Sequence, residues 1–168
     1  MTLEIVTLSR AHDRNRFDCG KEALNTFLRH TAREQAGSQL SRTRVLCDST
    51  MPDTILGYCT LAFCEIETDP ALRSRYRTYP HPLPALRLAR LAIDLRWQQQ
   101  GYGGLLVVDA MKRCLRAAEH GGLVGLVVDA KDDSAAPFYR KLGFSPLQRN
   151  PLTLFMPLGT CEKALGKN

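Results

Sequence analysis

The stretch RLAIDLRWQQQGYGG, residues 90–104, decides the fold, because it joins an apolar strand to a helix that opens on glycines. Gly101, Gly103 and Gly104 carry no β-carbon, so a phosphate group can come close to the backbone there. Residues 105–118 continue as an amphipathic helix with one apolar stripe and a charged opposite face. The first turn of that helix offers unpaired N–H groups and the positive end of a dipole. The sequence therefore predicts a site for a phosphate-bearing cofactor.

The glycine pattern differs from the two commonest phosphate-binding motifs. A dinucleotide fold needs G-x-G-x-x-G with an acidic residue about 20 residues later, and a P-loop needs Gly-Lys-Ser/Thr. This stretch instead carries Gln-x-x-Gly-x-Gly, with Gln98, Gly101 and Gly103 in the fixed positions. The pattern resembles the acetyl-CoA-binding motif of the GNAT superfamily of N-acetyltransferases. That resemblance implies acetyl-CoA as co-substrate, bound by Leu91, Ile93, Gln98, Gln99, Gln100, Gly101, Tyr102, Gly103, Gly104, Leu105, Ser134 and Phe138.

Length and composition predict one domain, residues 1–168, since 168 residues with 44% hydrophobic content can bury one core. The first ten residues lack a basic segment and a long apolar run, and no stretch approaches the roughly 18 apolar residues of a membrane span. We therefore expect a cytoplasmic protein with no membrane partner. The six cysteines include no C-x-x-C pair, which argues against disulfides and zinc, so no metal is predicted.

Hydrophobic periodicity indicates an α/β fold with a mixed sheet and helices on both faces. The resemblance to GNAT enzymes implies their acyl-CoA N-acyltransferase fold, with six to seven strands. We expect a right-handed parallel crossover between residues 88 and 129. In chain order the patterns predict a strand at 3–8, a helix at 21–36, paired antiparallel strands at 43–48 and 55–66, and a proline-rich loop at 68–84. They then predict a strand at 86–93, a helix at 101–118, a fully buried strand at 123–129, a helix at 132–143 and a last strand within 151–157. Asp132, Asp133 or Ser134 is expected to cap the N-terminus of the helix at 132–143, and Gly143 its C-terminus.

A second motif, APFYRKLGF at 136–144, is similar to the GNAT helix with the pattern F-Y-x-x-x-G-F. In that family the tyrosine points at the cofactor sulfur, which makes Tyr139 the expected catalytic acid. A tyrosine hydroxyl, with an ordinary pKa of about 10, can protonate a departing thiolate whose thiol titrates near 8.5. A backbone N–H at Leu91 or Ile93 can stabilise the carbonyl oxygen. The alternative for Tyr139, as for Phe138 and Phe144, is that it is a core aromatic.

A general base is harder to identify from the sequence. Glu65, Glu67 and His12 are candidates, but each residue type is more often an ordinary surface residue. An α-amine has a pKa of about 7.7–8.0 and is partly neutral near pH 7, whereas a lysine amine at about 10.4 must first lose a proton. The lack of an obvious base therefore favours an α-amine as the acceptor.

Segments outside the cofactor motif indicate which subgroup of the GNAT superfamily the chain resembles. FDCG at 17–20, LNTFL at 24–28 and PLTLFMP at 151–157 look like the GNAT toxins of type II toxin–antitoxin modules, and the likeness runs from about Leu8 to Leu158. It implies acetyl transfer to the α-amine of aminoacyl-tRNA and a block of translation. It also implies a homodimer, an antitoxin of the ribbon–helix–helix type, and contact with DNA, as part of a repressor, only through that antitoxin.

Arginines fill the middle of the chain, whose net charge is +6, and RSRYRTY at 73–79 interleaves them with tyrosines. Such a mixture suits an RNA backbone and its unstacked bases, although a solvated surface loop would have the same composition. The resemblance makes five arginines candidates for tRNA contact: Arg73, Arg75, Arg77, Arg87 and Arg90.

Two positions depart from the commonest family pattern. Gln99 and Gln100 replace a pair that often includes a basic residue, and Tyr102 replaces a small or aliphatic residue. We expect the Tyr102 side chain to point to solvent or toward the adenine end of the cofactor. Two other functions stay open: a GNAT enzyme for a small amine, a peptide or a protein N-terminus, and a binding module that recruits a repressor to DNA without turnover.

Overall fold

A computed structural model describes residues 1–67 and 69–166. Its seven strands form one sheet in the order β1-β2-β3-β4-β5-β7-β6. β4 and β5 are parallel, whereas β1 with β2, β2 with β3, β5 with β7 and β6 with β7 are antiparallel. The predicted mixed sheet is confirmed. The strands are β1 (Leu3–Thr7), β2 (Arg42–Asp48), β3 (Gly57–Ile66), β4 (Leu83–Ile93), β5 (Gly125–Asp129), β6 (Ser145–Pro146) and β7 (Thr153–Pro157).

Helices flank the sheet, as the sequence predicted. The helix predicted from Lys21 to about Ala36 is present, but its middle turn is a π-helix, which an average apolar period does not reveal. The helical elements are α1 (Glu22–Thr26), the π-helix (Phe27–Thr31), α2 (Ala32–Gly37), α3 (Pro70–Arg75), a 3₁₀ turn (Leu95–Trp97), α4 (Tyr102–Ala118), α5 (Ala136–Lys141) and α6 (Leu158–Ala164). Within the described residues no helix is long and apolar enough to cross a membrane.

The chain divides into two compact units, each with its own hydrophobic core. The first consists of Met1–Ala62 and Ala89–Ala110, and the second of Phe63–Leu88 and Met111–Asn168. β3, β4 and α4 each continue from one unit into the other. All six cysteines are free thiols.

In the first unit, the ring of Tyr58 on β3 lies at the core. Phe17 meets that ring edge-on with centroids 5.5 Å apart, and Phe27 stacks on it at 6.3 Å. The Tyr58 hydroxyl donates a hydrogen bond to the carbonyl oxygen of Leu24 at 2.7 Å. Burial raises the pKa of Tyr58, so the hydroxyl stays protonated and remains a donor. Ring packing and hydroxyl together attach the N-terminal helices to the sheet.

In the second unit, α3 covers the sheet where a loop was predicted. Asp69 caps this helix, since its carboxylate accepts the N–H of Ala71 at 3.1 Å, and Pro70 occupies the first turn, where a missing N–H costs nothing. Leu72 and Tyr76 then pack into the core. The prediction of a loop from 68 to 84 was wrong for α3 and for the start of β4, because the prolines lie at positions that regular structure tolerates.

The predicted helix at 132–143 is shorter than expected. The carboxylate of Asp132 accepts the N–H of Ala135 at 3.0 Å and the hydroxyl of Ser134 at 2.6 Å, but these bonds stabilise a turn that precedes α5. The N-cap residue of α5 is Ala135, without a side-chain cap, so the predicted capping by Asp132, Asp133 or Ser134 was wrong. Gly143, with φ +109°, follows the last turn in the predicted C′ position.

Replacing Gly125 by alanine should destabilise the protein. A β-carbon there would overlap the carbonyl oxygen of Met156 and lie 2.9 Å from the ring of Phe155. Because β5 pairs with β7 at this point, neither neighbour can move freely, and such overpacking costs about 1–3 kcal/mol. Urea unfolding measures the loss. Gly121→Ala is the control, since its β-carbon meets nothing within 4 Å; equal effects of the two changes would contradict this account of β5 packing.

Candidate functional site

The junction between β4 and α4 is held by the carboxylate of Asp94, whose side chain is only 2% exposed. It accepts the backbone N–H of Arg96 at 2.9 Å, so it caps the 3₁₀ turn, and the N–H of Asp18 at 3.1 Å. The Arg96 guanidinium adds hydrogen bonds at 3.0 and 3.1 Å. Burial alone would raise the pKa of Asp94, but these hydrogen bonds outweigh it and hold that pKa below its ordinary value. Sequence reasoning missed this role; the Asp-x-Arg spacing at the end of a strand was its only signal.

The FDCG segment forms a second cluster of hydrogen bonds beside Asp94. The Asp18 carboxylate accepts the N–H of Gly20 and the side-chain amide of Asn25, each at 2.9 Å. The Asn25 oxygen accepts the N–H of Cys19 at 2.9 Å, and Gly20 has φ +84°. Hydrogen bonds from Gly20 and Asn25 hold the pKa of Asp18 below its ordinary value. FDCG and LNTFL therefore occur together because the first supplies the acceptor and the second the amide.

Gln98 attaches the glycine loop to both of these elements. Its side-chain nitrogen donates to the carbonyl oxygen of Ile93 at 2.9 Å and to that of Cys19 at 3.2 Å. The next residue, Gln99, has φ +63°, and Gly101 has φ +82°. Two left-handed residues turn the chain into α4, at a strain cost for Gln99 that glycine does not pay. Gln98 thus positions the loop through hydrogen bonds within the chain.

The loop leaves room for a ligand. A β-carbon at Gly101 or Gly104 would meet no atom within 4 Å, so these glycines fill no internal packing need. Gly101 precedes the 17-residue helix α4, and Gly104 lies in its first turn, where the N–H groups have no preceding helical carbonyl. Open space beside backbone donors at a helix N-terminus fits the pyrophosphate of a coenzyme.

The Tyr102 side chain does not point to solvent, which was one of the two orientations expected from the sequence. It is 9% exposed, and its hydroxyl donates to the sulfur of Met1 at 3.4 Å. Tyr102 therefore anchors the start of α4 in the first unit, and only its backbone N–H is left for a ligand. Gln100 and Leu105 on the same segment are exposed, and Gly103 is half-buried.

The end of β4 presents two backbone N–H groups away from β3. The N–H of Asp94 donates to the carbonyl oxygen of Leu56 at 2.9 Å, on the β3 side. Successive N–H groups along a strand alternate between its two edges, so those of Leu91 and Ile93 face the other edge. The register between β4 and β5 covers residues 86–88, and β4 continues beyond it. These two amides are therefore placed to donate to a ligand.

Tyr139 lies on α5 in the second unit, with 8% of its surface exposed. The ring meets Phe138 edge-on at 5.0 Å and Phe144 at 5.8 Å, so two aromatic contacts fix its orientation. Phe144 is in the core as expected, whereas Phe138 is 37% exposed. Ser134, predicted to bind the cofactor, lies exposed in the turn before α5.

The five candidate arginines fall into two groups. Arg73 and Arg75 on α3, and Arg77 after it, are exposed. Arg87 and Arg90 are half-buried on β4. The Arg87 guanidinium forms an ion pair with the carboxylate of Asp129, and the Arg90 guanidinium lies 3.7 Å from the centroid of the Phe27 ring. The first group can meet a large polyanion directly, whereas the second already has partners within the chain.

The three base candidates differ in their exposure to solvent. His12 is 9% exposed, and its Nδ1 accepts the N–H of Ser9 at 2.9 Å. Burial lowers the pKa of His12 despite that bond, so the ring is neutral at pH 7. Glu65 and Glu67 are both exposed. Among the described residues no cluster of three or more His, Cys, Asp or Glu side chains could hold a metal ion.

A family model described as an acetyltransferase (GNAT) domain matches residues 41–146. The chain is 31% identical over 159 residues to a tRNA-acetylating toxin of Mycobacterium tuberculosis, covering 95% of this chain and 94% of that protein. Two solved structures extend the similarity. AtaT complexed with acetyl-methionyl-tRNAfMet has a TM-score of 0.88 at 36% identity, covering 98% of this chain and 99% of that one. A mutant AtaT toxin bound to the C-terminus of the antitoxin AtaR and to acetyl-CoA has a TM-score of 0.83 at 35% identity, with the same coverage. The chain therefore belongs to the GNAT acetyltransferase family.

Proposed function

We propose that this acetyltransferase transfers the acetyl group of acetyl-CoA to the α-amine of aminoacyl-tRNA and is the translation-blocking toxin of a type II toxin–antitoxin pair. The observation that carries the proposal is the likeness, over nearly the whole chain, to toxins described as acetylating tRNA or solved with an acetylated aminoacyl-tRNA. The exposed arginines on and after α3 support it, because an enzyme for small amines has no need of such a basic surface.

The proposed cofactor site uses backbone more than side chains. Acetyl-CoA supplies an acetyl group activated as a thioester. The N–H groups at Tyr102, Gly103 and Gly104 would bind its pyrophosphate, and Gln98 would keep the loop in the shape that exposes them. The N–H of Leu91 or Ile93 would stabilise the carbonyl oxygen as negative charge develops there.

Tyr139 is the proposed catalytic acid. Its hydroxyl would supply the proton that the departing sulfur takes up, and the contacts with Phe138 and Phe144 would keep the ring in one orientation. No base needs to be assigned for an α-amine, which is partly neutral near pH 7. The Nδ1 of His12 already accepts the N–H of Ser9, and the proposal gives this residue no catalytic role.

The proposed partners follow from the same relatives. AtaT is described in complex with its antitoxin AtaR, and we expect this chain to bind an antitoxin of the ribbon–helix–helix type in the cytoplasm. A homodimer and a role in repression through that antitoxin are part of the proposal. Light scattering during gel filtration measures the first, and an operator gel shift at several ratios of the two proteins measures the second.

The phenylalanine variant of Tyr139 should lose acetyl transfer. Removing one hydroxyl should lower the rate of transfer to charged tRNA by about 10²–10⁴-fold, the usual contribution of a general acid, while acetyl-CoA affinity is unchanged. Radiolabelled acetyl-CoA and charged tRNA measure the rate, and calorimetry measures the affinity. Phe63→Leu, a change at an aromatic side chain that is 72% exposed and outside the proposed site, is the control and should keep full activity.

Two results would contradict the proposal in different ways. If Tyr139→Phe keeps its activity on charged tRNA, Tyr139 is not the acid. If the wild-type protein labels free amines or protein N-termini but never tRNA, the acceptor is not aminoacyl-tRNA, and the chain is an acetyltransferase for small amines or peptides. Expression in bacteria adds an independent readout, since only the tRNA reaction should arrest growth.

The exposed arginines should carry the salt dependence of tRNA binding. Each lost phosphate contact should reduce the slope of log K against log salt by about 0.7–0.9, so the combined change of Arg73, Arg75 and Arg77 to glutamine should reduce it by about 2–3. Fluorescence titration of labelled tRNA at several salt concentrations measures the slope. A control that removes three exposed charges elsewhere, Lys112, Arg116 and Lys163 to glutamine, should leave the slope nearly unchanged. Equal losses in both proteins would show that net charge alone attracts the tRNA.

A further inference from the structure

A cavity of about 340 Å³ lies beside α3 in the second unit, outside the proposed catalytic groups. Two aromatic residues, Tyr76 and Tyr79, line it together with Arg75. Leu123, Val124 and Leu158 contribute an apolar surface. Its volume is at the lower end of the roughly 300–1,000 Å³ of small-molecule sites, which suits a flat group of one ring system.

The two tyrosines are held in place before any ligand arrives. The N–H of Tyr76 donates to the carbonyl oxygen of Leu72 at 2.8 Å, and the Tyr76 ring meets Phe155 edge-on at 6.3 Å. The N–H of Tyr79 donates to the carbonyl oxygen of Tyr76 at 2.9 Å, and the two rings are 5.3 Å apart. Tyr79 is nevertheless 51% exposed, so part of its ring is open to a stacking partner.

Val124 and Leu158, which also line the cavity, are held by backbone hydrogen bonds as well. The N–H of Val124 donates to the carbonyl oxygen of Pro84 at 2.9 Å, and the N–H of Leu158 donates to that of Val124 at 3.2 Å. These bonds connect the start of β5 to β4 and to the end of β7. Residues that are already held in place lose little conformational entropy when a ligand binds between them.

The positive charge near the cavity indicates the chemistry of the ligand it would bind. Residues 70–79 contain three arginines and no aspartate or glutamate. Arg75 lies 5.7 Å from the centroid of the Tyr76 ring, and Arg73 and Arg77 are exposed on the same short stretch. Arginines around an aromatic cavity complement a ligand that is flat and apolar at one end and anionic beside it. An unpaired nucleotide has that combination.

We propose that this cavity binds one unstacked base of the RNA substrate. The base stacks on Tyr79, and the arginines of α3 contact the adjoining phosphates. The inference rests on the proposed function for the identity of the RNA, and it adds a second point of attachment made by residues other than those proposed for acetyl transfer. Its effect is on tRNA affinity and not on the chemical step.

Binding of labelled, deacylated tRNA tests the proposal, because RNA without an aminoacyl group offers no acceptor amine and the reaction cannot interfere. Tyr79→Ala should weaken this binding by about 5- to 150-fold, the range for one base–aromatic stack. Tyr79→Phe keeps the ring and should bind within about twofold of the wild type. Phe63→Ala removes another exposed aromatic side chain of the second unit, 72% exposed, and should also bind normally.

A duplex RNA without unpaired nucleotides separates stacking from charge. The affinity of Tyr79→Ala for this duplex should equal that of the wild type, since the duplex has no free base to insert. If Tyr79→Ala binds tRNA normally, or loses affinity for tRNA and duplex alike, the cavity does not hold a base. If the change instead converts a dimer to a monomer in gel filtration, the cavity is occupied by a second copy of the chain, which also overturns the proposal.

The outcomes distinguish this inference from the proposed function. Normal tRNA binding by Tyr79→Ala, together with acetylation of charged tRNA by the wild type, would remove the base site and leave the function intact. Failure of the wild type to acetylate charged tRNA, together with tRNA binding that depends on Tyr79, would leave the base site and remove the function.

Discussion

The buried carboxylate of Asp94 is the interaction on which the candidate site depends. It accepts backbone N–H groups from Asp18 and Arg96 and two hydrogen bonds from the Arg96 guanidinium. Because these bonds hold its pKa low despite burial, the carboxylate is charged at neutral pH and binds its donors strongly. One side chain thus joins the FDCG segment to the turn that leads into the glycine loop, and Gln98 makes a second link to the same segment.

The proposal assigns cofactor binding and acceptor recognition to different residues. In the proposed site acetyl-CoA is bound by backbone N–H groups, so the side chains of Gln99 and Gln100 need not contact it, and the side chain of Tyr102 instead contacts Met1. Because this loop is proposed to bind only acetyl-CoA, the proposal assigns recognition of the acceptor to other residues. The exposed arginines of α3 and the cavity at Tyr79 are features that a general acetyltransferase does not require.

The sequence predicted the features that depend on local spacing and missed those that depend on distant partners. The junction at 90–104 and the strand at 123–129 were recognisable because glycine positions and apolar periods are short-range signals. α3 was missed because four prolines in the segment masked a helix that Asp69 caps and Pro70 begins. The burial of Tyr102 against Met1, and the partners of Arg87 and Arg90, could not be predicted because each contact joins residues far apart in the chain.

The central claim is that acetyl-CoA binds to the backbone at the end of β4 and at the start of α4. Residue-resolved amide hydrogen exchange, measured with and without acetyl-CoA, tests it most directly. Slower exchange with the coenzyme at Leu91 or Ile93 and at Tyr102, Gly103 and Gly104 is the predicted result. Unchanged exchange at these amides, with protection confined to other segments, would contradict the account.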